Sequence, residues 1–426
     1  MKVWELEKEK DALIDFIWKT RQKTKMDVRN AVSAIKDEVL SKKEEAIKRL
    51  CYKFDSWDKD YPLKITSKEI EDAARNINKR DIPILKGMIN NVRLFHKAQG
   101  AKKREFKRKG LFVIEDYVPV EKALIYVPGG RAAYPSSLIM AAVPAQIAGV
   151  KHIYVTTPTP FGQLNPYVAE TLILLGIQEV YRIGGAQAVY AFSLGVGTIP
   201  KVDLVVGPGN AFVDEAKRDI YGFSGIDMLA GPSELIILVT KNVSPELVAK
   251  DLFSQAEHDD MATVGLFSNS RPFIEDVIKH MDRLMVINER KDIIERAIKA
   301  NSFFVHFEDI EKAIDIVNTI APEHMEFIGD EGLSEKILYP GIIYIGEMTP
   351  VAMGDYYIGT NHILPTAGAG RFTAGLSVDT FRKRRVKVKM DEVFFERFGK
   401  KAERLARIEG LFAHAEAIRA RKEVKR

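Results

Sequence analysis

Short apolar runs alternate with helical patterns from about residue 111 to residue 345, and this alternation constrains the fold more than any other feature. In the first half of this region, each run is followed by a Gly- or Pro-rich turn and then a helix. A strand–turn–helix repeat is typical of βαβ units, whose parallel strands form a sheet covered by helices on both faces. We expect strands at 124–127, 153–155, 180–183 and 204–206, and a second series at 235–239, 263–267, 303–307, 325–328 and 342–345.

This repeat predicts an α/β fold with two successive parallel-sheet domains. A chain of 426 residues is too long for a single hydrophobic core. We expect a helical N-terminal region at 1–115, packed with the second α/β domain, and α/β domains at 116–232 and 233–380. Residues 381–426 lack the alternation, and we expect an extended helical tail that docks on a partner subunit.

Two local signals in the N-terminal region predict how its helices begin and pack. Thr66 followed by Glu69 has the spacing of a capping box that opens a helix. His96 ends an apolar stripe at helical spacing, so we expect a histidine packed in the core or at its boundary.

Charge and cysteine content exclude several classes of protein. The net charge is only +5, and the basic excess is concentrated at 102–109 and 382–426, where aromatic residues are not interleaved in the way of a nucleic-acid surface. Such runs are typical of solvated faces rather than of a nucleic-acid surface. A single cysteine, Cys51, excludes an intrachain disulfide and favours a reducing compartment. The N-terminal residues have no apolar core of signal-peptide type, and no apolar run approaches the length of a membrane span. We therefore expect a cytoplasmic protein without a signal peptide, a membrane span or a nucleic-acid partner.

Three glycine-rich turns lie at the carboxyl ends of expected strands, at 126–130, 183–187 and 206–210. In open α/β sheets ligands bind at this edge, and the following helix N-terminus favours phosphate. None of the turns has the Gly-x-Gly-x-x-Gly fingerprint of dinucleotide-binding folds. The pattern is compatible both with nucleotide binding and with turns that only pack helices against strands.

Polar pairs provide candidate catalytic residues. Gln255 and His258 are three residues apart and should share one face near the end of a helix that begins at Pro245. Glu323 and His324 are adjacent after Pro322, where a loop could aim a carboxylate and an imidazole into one pocket. Each pair has an ordinary alternative as exposed polar residues.

Two further segments carry residues of the same kind. Residues 354–366 have irregular spacing and contain Asp355 and His362, so a loop is predicted there, either functional or merely connecting. Glu409 and His414 are five residues apart, and both could face one site only if the helix bends or restarts near Gly410.

In this order the segments resemble the histidinol dehydrogenase family. The matching blocks are Tyr-Val-Pro-Gly-Gly at 126–130, Gly-Gly-Ala-Gln-Ala at 184–188, Gly-Pro-Gly-Asn at 207–210, Ala-Gly-Pro-Ser-Glu at 230–234, Gln-Ala-Glu-His at 255–258, Ala-Pro-Glu-His at 321–324, Gly-Asp-Tyr at 354–356 with Asn-His-Ile-Leu-Pro-Thr at 361–366, and Glu-Gly-Leu-x-x-His at 409–414. The resemblance runs from about residue 115 to residue 420. One departure is Asp259-Asp260-Met261, where many members have a proline.

The resemblance implies a two-step oxidation of L-histidinol to L-histidine through the aldehyde, with two NAD⁺ and one zinc ion per subunit. His324 would be the general base, and Glu323 would activate the water that attacks the aldehyde. The implied zinc ligands are Gln255, His258, Asp355 and His414. The implied substrate contacts are these four together with Ser233, His324, His362 and Glu409, and the implied NAD contacts are Tyr126, Gln187 and Asn210. The family is a homodimer in which the tail of one subunit reaches the other's active site, so Glu409 and His414 would complete the partner's site. The family's two α/β domains resemble incomplete Rossmann folds, so the resemblance implies two incomplete Rossmann-like parallel-sheet domains here.

Two alternatives come from other functional classes. The first is a zinc hydrolase with Glu323 as base, in which the glycine turns serve only packing. The second is a non-catalytic or nucleic-acid-binding relative that uses the basic runs. Oxidation of an aldehyde through a cysteine thiohemiacetal is disfavoured, because Cys51 is far along the chain from every motif. We expect Cys51 to be structural.

Overall fold

The structure is a computed structural model that describes residues 1–23, 28–56, 61–129 and 134–421. Its residues form two compact units, which are described separately. The first unit comprises residues 1–99 and 120–381, and the second comprises residues 100–119 and 382–426.

The bounds of the elements follow in chain order. The strands are β1 (Val3–Glu5), β2 (Lys64–Ile65), β3 (Arg104–Arg108), β4 (Leu111–Pro119), β5 (Lys122–Tyr126), β6 (His152–Thr156), β7 (Val180–Tyr181), β8 (Leu204–Val206), β9 (Gly225–Ile226), β10 (Glu234–Val239), β11 (Thr263–Ser268), β12 (Ser302–His306), β13 (His324–Ile328), β14 (Ile342–Ile345) and β15 (Arg382–Met390). The helices are α1 (Leu6–Lys23), α2 (Arg29–Lys42), α3 (Glu44–Asp55), α4 (Ser67–Ala74), α5 (Ile82–Lys97), α6 (Pro135–Ala148), α7 (Pro166–Leu175), α8 (Gly185–Leu194), α9 (Ala211–Ile220), α10 (Pro245–Ala256), α11 (Arg271–Ile287), α12 (Lys291–Asn301), α13 (Ile310–Ile320), α14 (Val351–Tyr356), α15 (Glu392–Ile408) and α16 (Phe412–Ala420).

The first unit contains two six-stranded sheets. The first sheet has the order β2-β7-β6-β5-β8-β9, and its strands are parallel except for β2, which runs antiparallel to β7. The second sheet has the order β1-β12-β11-β10-β13-β14 and is parallel throughout. The predicted α/β fold with two successive parallel sheets is confirmed, and each of the nine predicted strands is present.

Both sheets are covered on both faces, as the continuous apolar runs require. Successive residues of β5 enter different cores: Ile125 packs in one, and Leu124 packs in the other. The same alternation holds in β10 for Ile237 and Ile236. Helices therefore shield the backbone of each central strand from water.

The N-terminal helices are divided between the two sheets. We expected residues 1–115 to pack with the second α/β domain. In the structure, β1 pairs with β12 and α1 packs in the second sheet's core, whereas α2, α3, α4 and α5 contribute to the cores of the first sheet. The predicted capping box of Thr66 and Glu69 opens α4, and His96 is fully buried in α5.

The second unit is an antiparallel sheet of order β15-β4-β3 with two helices. The basic run at 102–109 contains β3, whose residues are all exposed. The predicted helical tail is present as α15 and α16, which Arg407 and Glu416 join at 2.7 Å. It is preceded by β15, a strand that the sequence analysis did not predict.

Candidate active site

Glu323 and His324 lie together at the amino end of β13, beside the first residue of β10. The Glu323 Oε2 atom accepts a hydrogen bond from the backbone N–H of Glu234 at 3.0 Å. The His324 Nδ1 atom lies 3.2 Å from the Glu234 carbonyl oxygen and 3.4 Å from Glu323 Oε2. Since both neighbours are acceptors, in the neutral ring Nδ1 carries the hydrogen and Nε2 carries the lone pair. Nε2 is buried without a hydrogen-bond partner among the described residues.

The charges around His324 control its protonation. Burial lowers the pKa of the imidazole, but the carboxylates of Glu323 and Asp355 raise it, and the result is a pKa of about 9. The ring also stacks on Tyr344, with centroids 6.4 Å apart. Tyr344 was not identified from the sequence, because a tyrosine within an apolar strand gives no separate signal.

The candidate metal ligands of the first unit lie at helix ends. Gln255 is in the last turn of α10, and His258 is exposed two residues beyond Ala256, where the helix ends. Asp355 lies in the last turn of α14. Within residues 1–23, 28–56, 61–129 and 134–421, no group of three or more His, Cys, Asp or Glu side chains is placed to hold a metal ion.

Gln255 nevertheless has the environment of a ligand. Its side chain is 1% exposed, and neither amide atom has a hydrogen-bond partner in the described part of the chain. A buried amide without partners is costly, so an unpaired carbonyl oxygen here suits a cation or a bound polar molecule. With an imidazole and a carboxylate, this oxygen gives a sulfur-free donor set that zinc accepts. The residues present therefore fit the implied ion.

Residues 354–366, predicted as irregular, begin inside α14 and are irregular from Tyr357 onward. Gly354 is required by a close approach, since a Cβ atom there would lie 2.0 Å from the Tyr344 hydroxyl oxygen. His362 donates from Nδ1 to the backbone oxygen of Asp355 at 3.0 Å. This bond closes the segment on itself and leaves His362 Nε2 available. Burial lowers the pKa of His362, against the opposing charge of Asp355.

Asn361 ties the same segment to the helices of the first sheet. Its Nδ2 atom donates to the Met140 carbonyl oxygen in α6 at 2.7 Å and lies 3.3 Å from His96 Nε2 in α5. Its Oδ1 atom accepts from the Ile363 N–H at 2.9 Å. The amide of Asn361 therefore has a structural role, and His96 is the packed histidine that the sequence predicted.

The three implied NAD contacts lie at the carboxyl edge of the first sheet. Tyr126 ends β5, and its hydroxyl accepts from the Gly185 N–H at 3.0 Å. Gln187 is buried in the first turn of α8. Asn210 caps α9, accepting from the N–H groups of Phe212 and Val213. The strand order reverses between β5 and β8, and such a switch point is where open α/β sheets bind ligands.

Cys51 lies closer to these turns than its position in the sequence suggested. It is buried against the first sheet, with Sγ 3.8 Å from the Arg182 carbonyl oxygen and in contact with Gln187. Cys51 is far from every motif in the sequence, as expected, but in the folded structure it lies next to the motif that contains Gln187, and the expectation was wrong in that respect. Burial raises its thiol pKa to about 12, so the thiolate nucleophile is disfavoured at neutral pH.

A buried ion pair supports the turn that carries Asn210. Lys217 Nζ lies 2.5 Å from Asp227 Oδ1, and both side chains are almost completely buried. Lys217 also donates to the Gly207 carbonyl oxygen at 3.1 Å, and the Gly207 N–H donates to Asp227 Oδ2 at 2.8 Å. Both backbone polar groups of Gly207 are thus held by this pair.

Ser233 lies one residue before β10, and its carbonyl oxygen accepts from the Thr263 N–H at 2.9 Å. Glu409 and His414 belong to the second unit, where both are exposed. The chain breaks between α15 and α16 at Gly410, which has a φ of +75°. This is the interruption that the spacing of Glu409 and His414 required.

Comparison with known proteins gives a consistent result. The family model for histidinol dehydrogenase matches residues 18–422. The histidinol dehydrogenase of Sulfurimonas denitrificans is 38% identical over 94% of this chain and 95% of its own. The histidinol dehydrogenase of Bacillus subtilis is 37% identical over 92% of this chain and 93% of its own length. The crystal structure of histidinol dehydrogenase from Elizabethkingia anophelis superposes with a TM-score of 0.89 at 32% identity, covering 94% of this chain and 93% of that one.

The two-sheet α/β fold and these similarities define an oxidoreductase. Within that class, the chain belongs to the histidinol dehydrogenase family. This assignment favours the dehydrogenase hypothesis over the hydrolase and nucleic-acid-binding alternatives. In the described part of the chain, no helix has the length and apolar character needed to span a membrane.

Proposed function

We propose that the protein catalyses the two-step, NAD-dependent oxidation of L-histidinol through L-histidinal to L-histidine, in the cytoplasm. The observation that carries the proposal is the pairing of Glu323 with His324, whose Nε2 atom is buried and has no hydrogen-bond partner in the part of the chain that the structure describes. A base whose lone pair is aimed away from its own hydrogen-bond partners is available to substrate.

In the first step, His324 Nε2 takes the hydroxyl proton of histidinol as the hydride leaves the same carbon. NAD⁺ supplies the hydride acceptor in both steps. His324 is competent as a base only when neutral, and the adjacent carboxylates raise the pH at which it becomes neutral. Its Nδ1–H bond to the Glu234 carbonyl oxygen keeps the ring in the required tautomer.

In the second step, Glu323 takes a proton from the water that attacks the aldehyde. One of its oxygens, Oε2, is held by the Glu234 N–H. This bond orients the carboxylate while leaving its charge available to the water. The hydrate anion formed by this attack then loses its hydride to NAD⁺, which gives the carboxylic acid.

The substrate site would combine residues of one subunit with Glu409 and His414 of its partner. Ser233, His362 and Glu409 would contact histidinol, with the carboxylate suited to the cationic amine. A zinc ion held by Gln255, His258, Asp355 and His414 would orient the amine and imidazole nitrogens of the substrate and offset the charge of Asp355. Tyr126, Gln187 and Asn210 would line the NAD site at the switch point of the first sheet.

The test counts NADH formed per histidinol consumed, with and without a chelator. Two NADH per substrate and loss of activity on chelation are expected. One NADH per substrate, or activity indifferent to the chelator, would contradict the proposal. Glu323→Gln should retain alcohol oxidation better than aldehyde oxidation, and equal loss of both steps would count against the role of Glu323. Bound zinc measured on purified protein should be lost in Asp355→Ala but kept in His362→Ala.

We also propose a homodimer in which Glu409 and His414 complete the partner's site, a proposal that rests on the family resemblance. Mixing Glu323→Gln and His414→Ala subunits, each of which should be unable to complete the conversion to histidine, should restore histidine formation, because each mixed dimer then has one intact site. If mixed dimers form and remain inactive, the sites are not shared.

A further inference from the structure

A buried ion pair joins the N-terminal helix to the catalytic sheet. Arg21 in α1 donates from Nε to Glu234 Oε1 at 2.7 Å and from Nη2 to Glu234 Oε2 at 2.8 Å. The two side chains are 6% and 5% exposed. Removing such a pair of charges from water is costly and is offset only by good geometry and further hydrogen bonds. The position of this pair therefore requires an explanation.

The pair has additional partners on both sides of the catalytic residues. Arg21 Nη1 donates to the carbonyl oxygen of Ile320 at 2.9 Å, three residues before Glu323. Glu234 Oε2 accepts from the Ala367 N–H at 3.2 Å, at the end of the segment that contains His362. One arginine–carboxylate unit thus fixes the start of β10, the end of α13 and the residues after His362.

Glu234 is the residue that holds both proposed catalytic groups, through its backbone. Its N–H donates to Glu323 Oε2, and its carbonyl oxygen accepts from His324 Nδ1. A change in the position of this one backbone residue would move the carboxylate and the imidazole together. The side chain of Glu234, locked by Arg21, fixes that position.

We propose that Arg21 and Glu234 are positioning residues for the proposed reaction, holding Glu323 and His324 in their productive geometry through the backbone of Glu234. The inference rests on the proposed function of that pair. Neither residue is proposed to touch the substrate or NAD⁺, and both act on catalysis only through the positions of Glu323 and His324. Substituting them should therefore lower the catalytic rate rather than weaken the binding of substrate or NAD⁺.

The first variant is Arg21→Lys, which keeps the charge but loses the planar, bidentate fork. We expect kcat to fall by about 10- to 100-fold, because a displacement of about 1 Å in a catalytic group has an effect of this size. The KM values for histidinol and NAD⁺ should stay within about threefold of wild type. The pH at which His324 loses its proton should also move, since its distance from the Glu323 charge changes.

The second variant is Glu234→Gln, which retains the shape of the side chain but removes the negative charge that forms the ion pair with Arg21. It should show the same pattern of lowered kcat and a displaced acidic limb of the pH–rate profile. The matched control is Arg49→Lys, which breaks a similar two-bond contact with Glu38 on an exposed surface of the same unit. This control should retain the wild-type kcat and pH profile.

The outcomes separate this inference from the proposed function. If His324→Asn and Glu323→Gln lose the reaction while soluble Arg21→Lys and Glu234→Gln keep wild-type kcat and pH profile, only the positioning role is refuted. If activity per folded molecule is unchanged and only the thermal midpoint falls, the pair is structural and the inference is also refuted. If His324→Asn and Glu323→Gln retain both oxidation steps, the proposed function itself fails.

Discussion

Removing Lys217 should destabilise the protein in a way that depends on pH. Lys217 and Asp227 are 1% and 0% exposed, and together they hold both backbone polar groups of Gly207. Lys217→Met keeps the length and apolar stem of the side chain but leaves the Asp227 carboxylate without its cation. Asp227 retains the N–H donors of Gly207 and Met228, which lie 2.8 and 2.7 Å from its oxygens.

The magnitude follows from the burial and from the remaining donors. Breaking a buried ion pair by removing one partner costs about 3–5 kcal/mol of folding free energy. Because two N–H groups still stabilise the carboxylate, we expect a loss near the lower end, about 3 kcal/mol. With an unfolding entropy that scales with chain length, this corresponds to a fall of about 3 °C in the thermal midpoint.

Asp214 makes the loss larger at high pH. Burial raises its pKa to about 7, the charge of Lys217 opposes that rise, and the charge of Asp227 adds to it. A carboxyl group whose folded pKa is raised binds its proton more tightly when folded, so stability falls as the pH rises through that pKa. Without Lys217 the pKa of Asp214 rises further. The additional cost is therefore absent at about pH 5.5 and present at about pH 8.

The assay compares thermal midpoints of wild type and variant at these two pH values. The matched control is Lys36→Met, since Lys36 pairs with Asp219 at 2.8 Å on a surface where the two side chains are 28% and 38% exposed. An exposed pair contributes about 1 kcal/mol or less, so this variant should be nearly silent. Equal losses for Lys217→Met and Lys36→Met, or the same Lys217→Met loss at both pH values, would refute the reasoning.

Three other predictions follow from single groups. Gly207 and Gly222 have φ values of +112° and +111°, but a Cβ atom at Gly207 would lie 2.2 Å from the Tyr126 carbonyl oxygen, whereas that at Gly222 would meet nothing within 4 Å. Gly222→Ala should therefore cost about 1–2 kcal/mol of stability from backbone strain alone. Gly207→Ala should cost clearly more, because its Cβ atom also clashes with the Tyr126 carbonyl oxygen. Equal thermal midpoints for the two variants would exclude this clash. Cys51 should resist alkylation in the folded protein and react on unfolding, and rapid labelling of native protein would contradict its burial. In metal-free protein, Glu323→Gln should lower the pKa of His324 from about 9, because the substitution removes a carboxylate that raises this pKa. NMR titration of the His324 ring measures the change, and an unchanged pKa would contradict the prediction.

The two parallel sheets could be predicted because each central strand is a continuous apolar run between turn residues. The second unit could not, because two of its strands, β3 and β15, are basic and mostly exposed and contain no continuous apolar run. In β15 Val386 and Val388 alternate with lysines, a period-2 pattern that was overlooked within a basic run.

The candidate site was only partly predictable, for a different reason. Glu323 and His324 are adjacent in the sequence, so their proximity could be inferred directly. Arg21 is 213 residues from Glu234 in the sequence. Its neighbours in the sequence give no sign that it is buried rather than exposed, as an arginine in an amphipathic helix usually is. Contacts of this kind depend on tertiary packing, which local periodicity does not contain.

In the proposed reaction the two sheets use opposite edges, and the chain that connects the sheets limits how far apart these edges can lie. The implied NAD contacts follow the carboxyl ends of β5, β7 and β8, whereas Glu323 and His324 lie at the amino end of β13, beside the start of β10. The chain leaves the carboxyl edge of the first sheet at Ile226 and enters the amino edge of the second at Glu234. Eight residue steps span at most about 29 Å when fully extended. The connection therefore limits the separation of Ile226 and Glu234 to this length, which is compatible with the proposed transfer of hydride between the two edges.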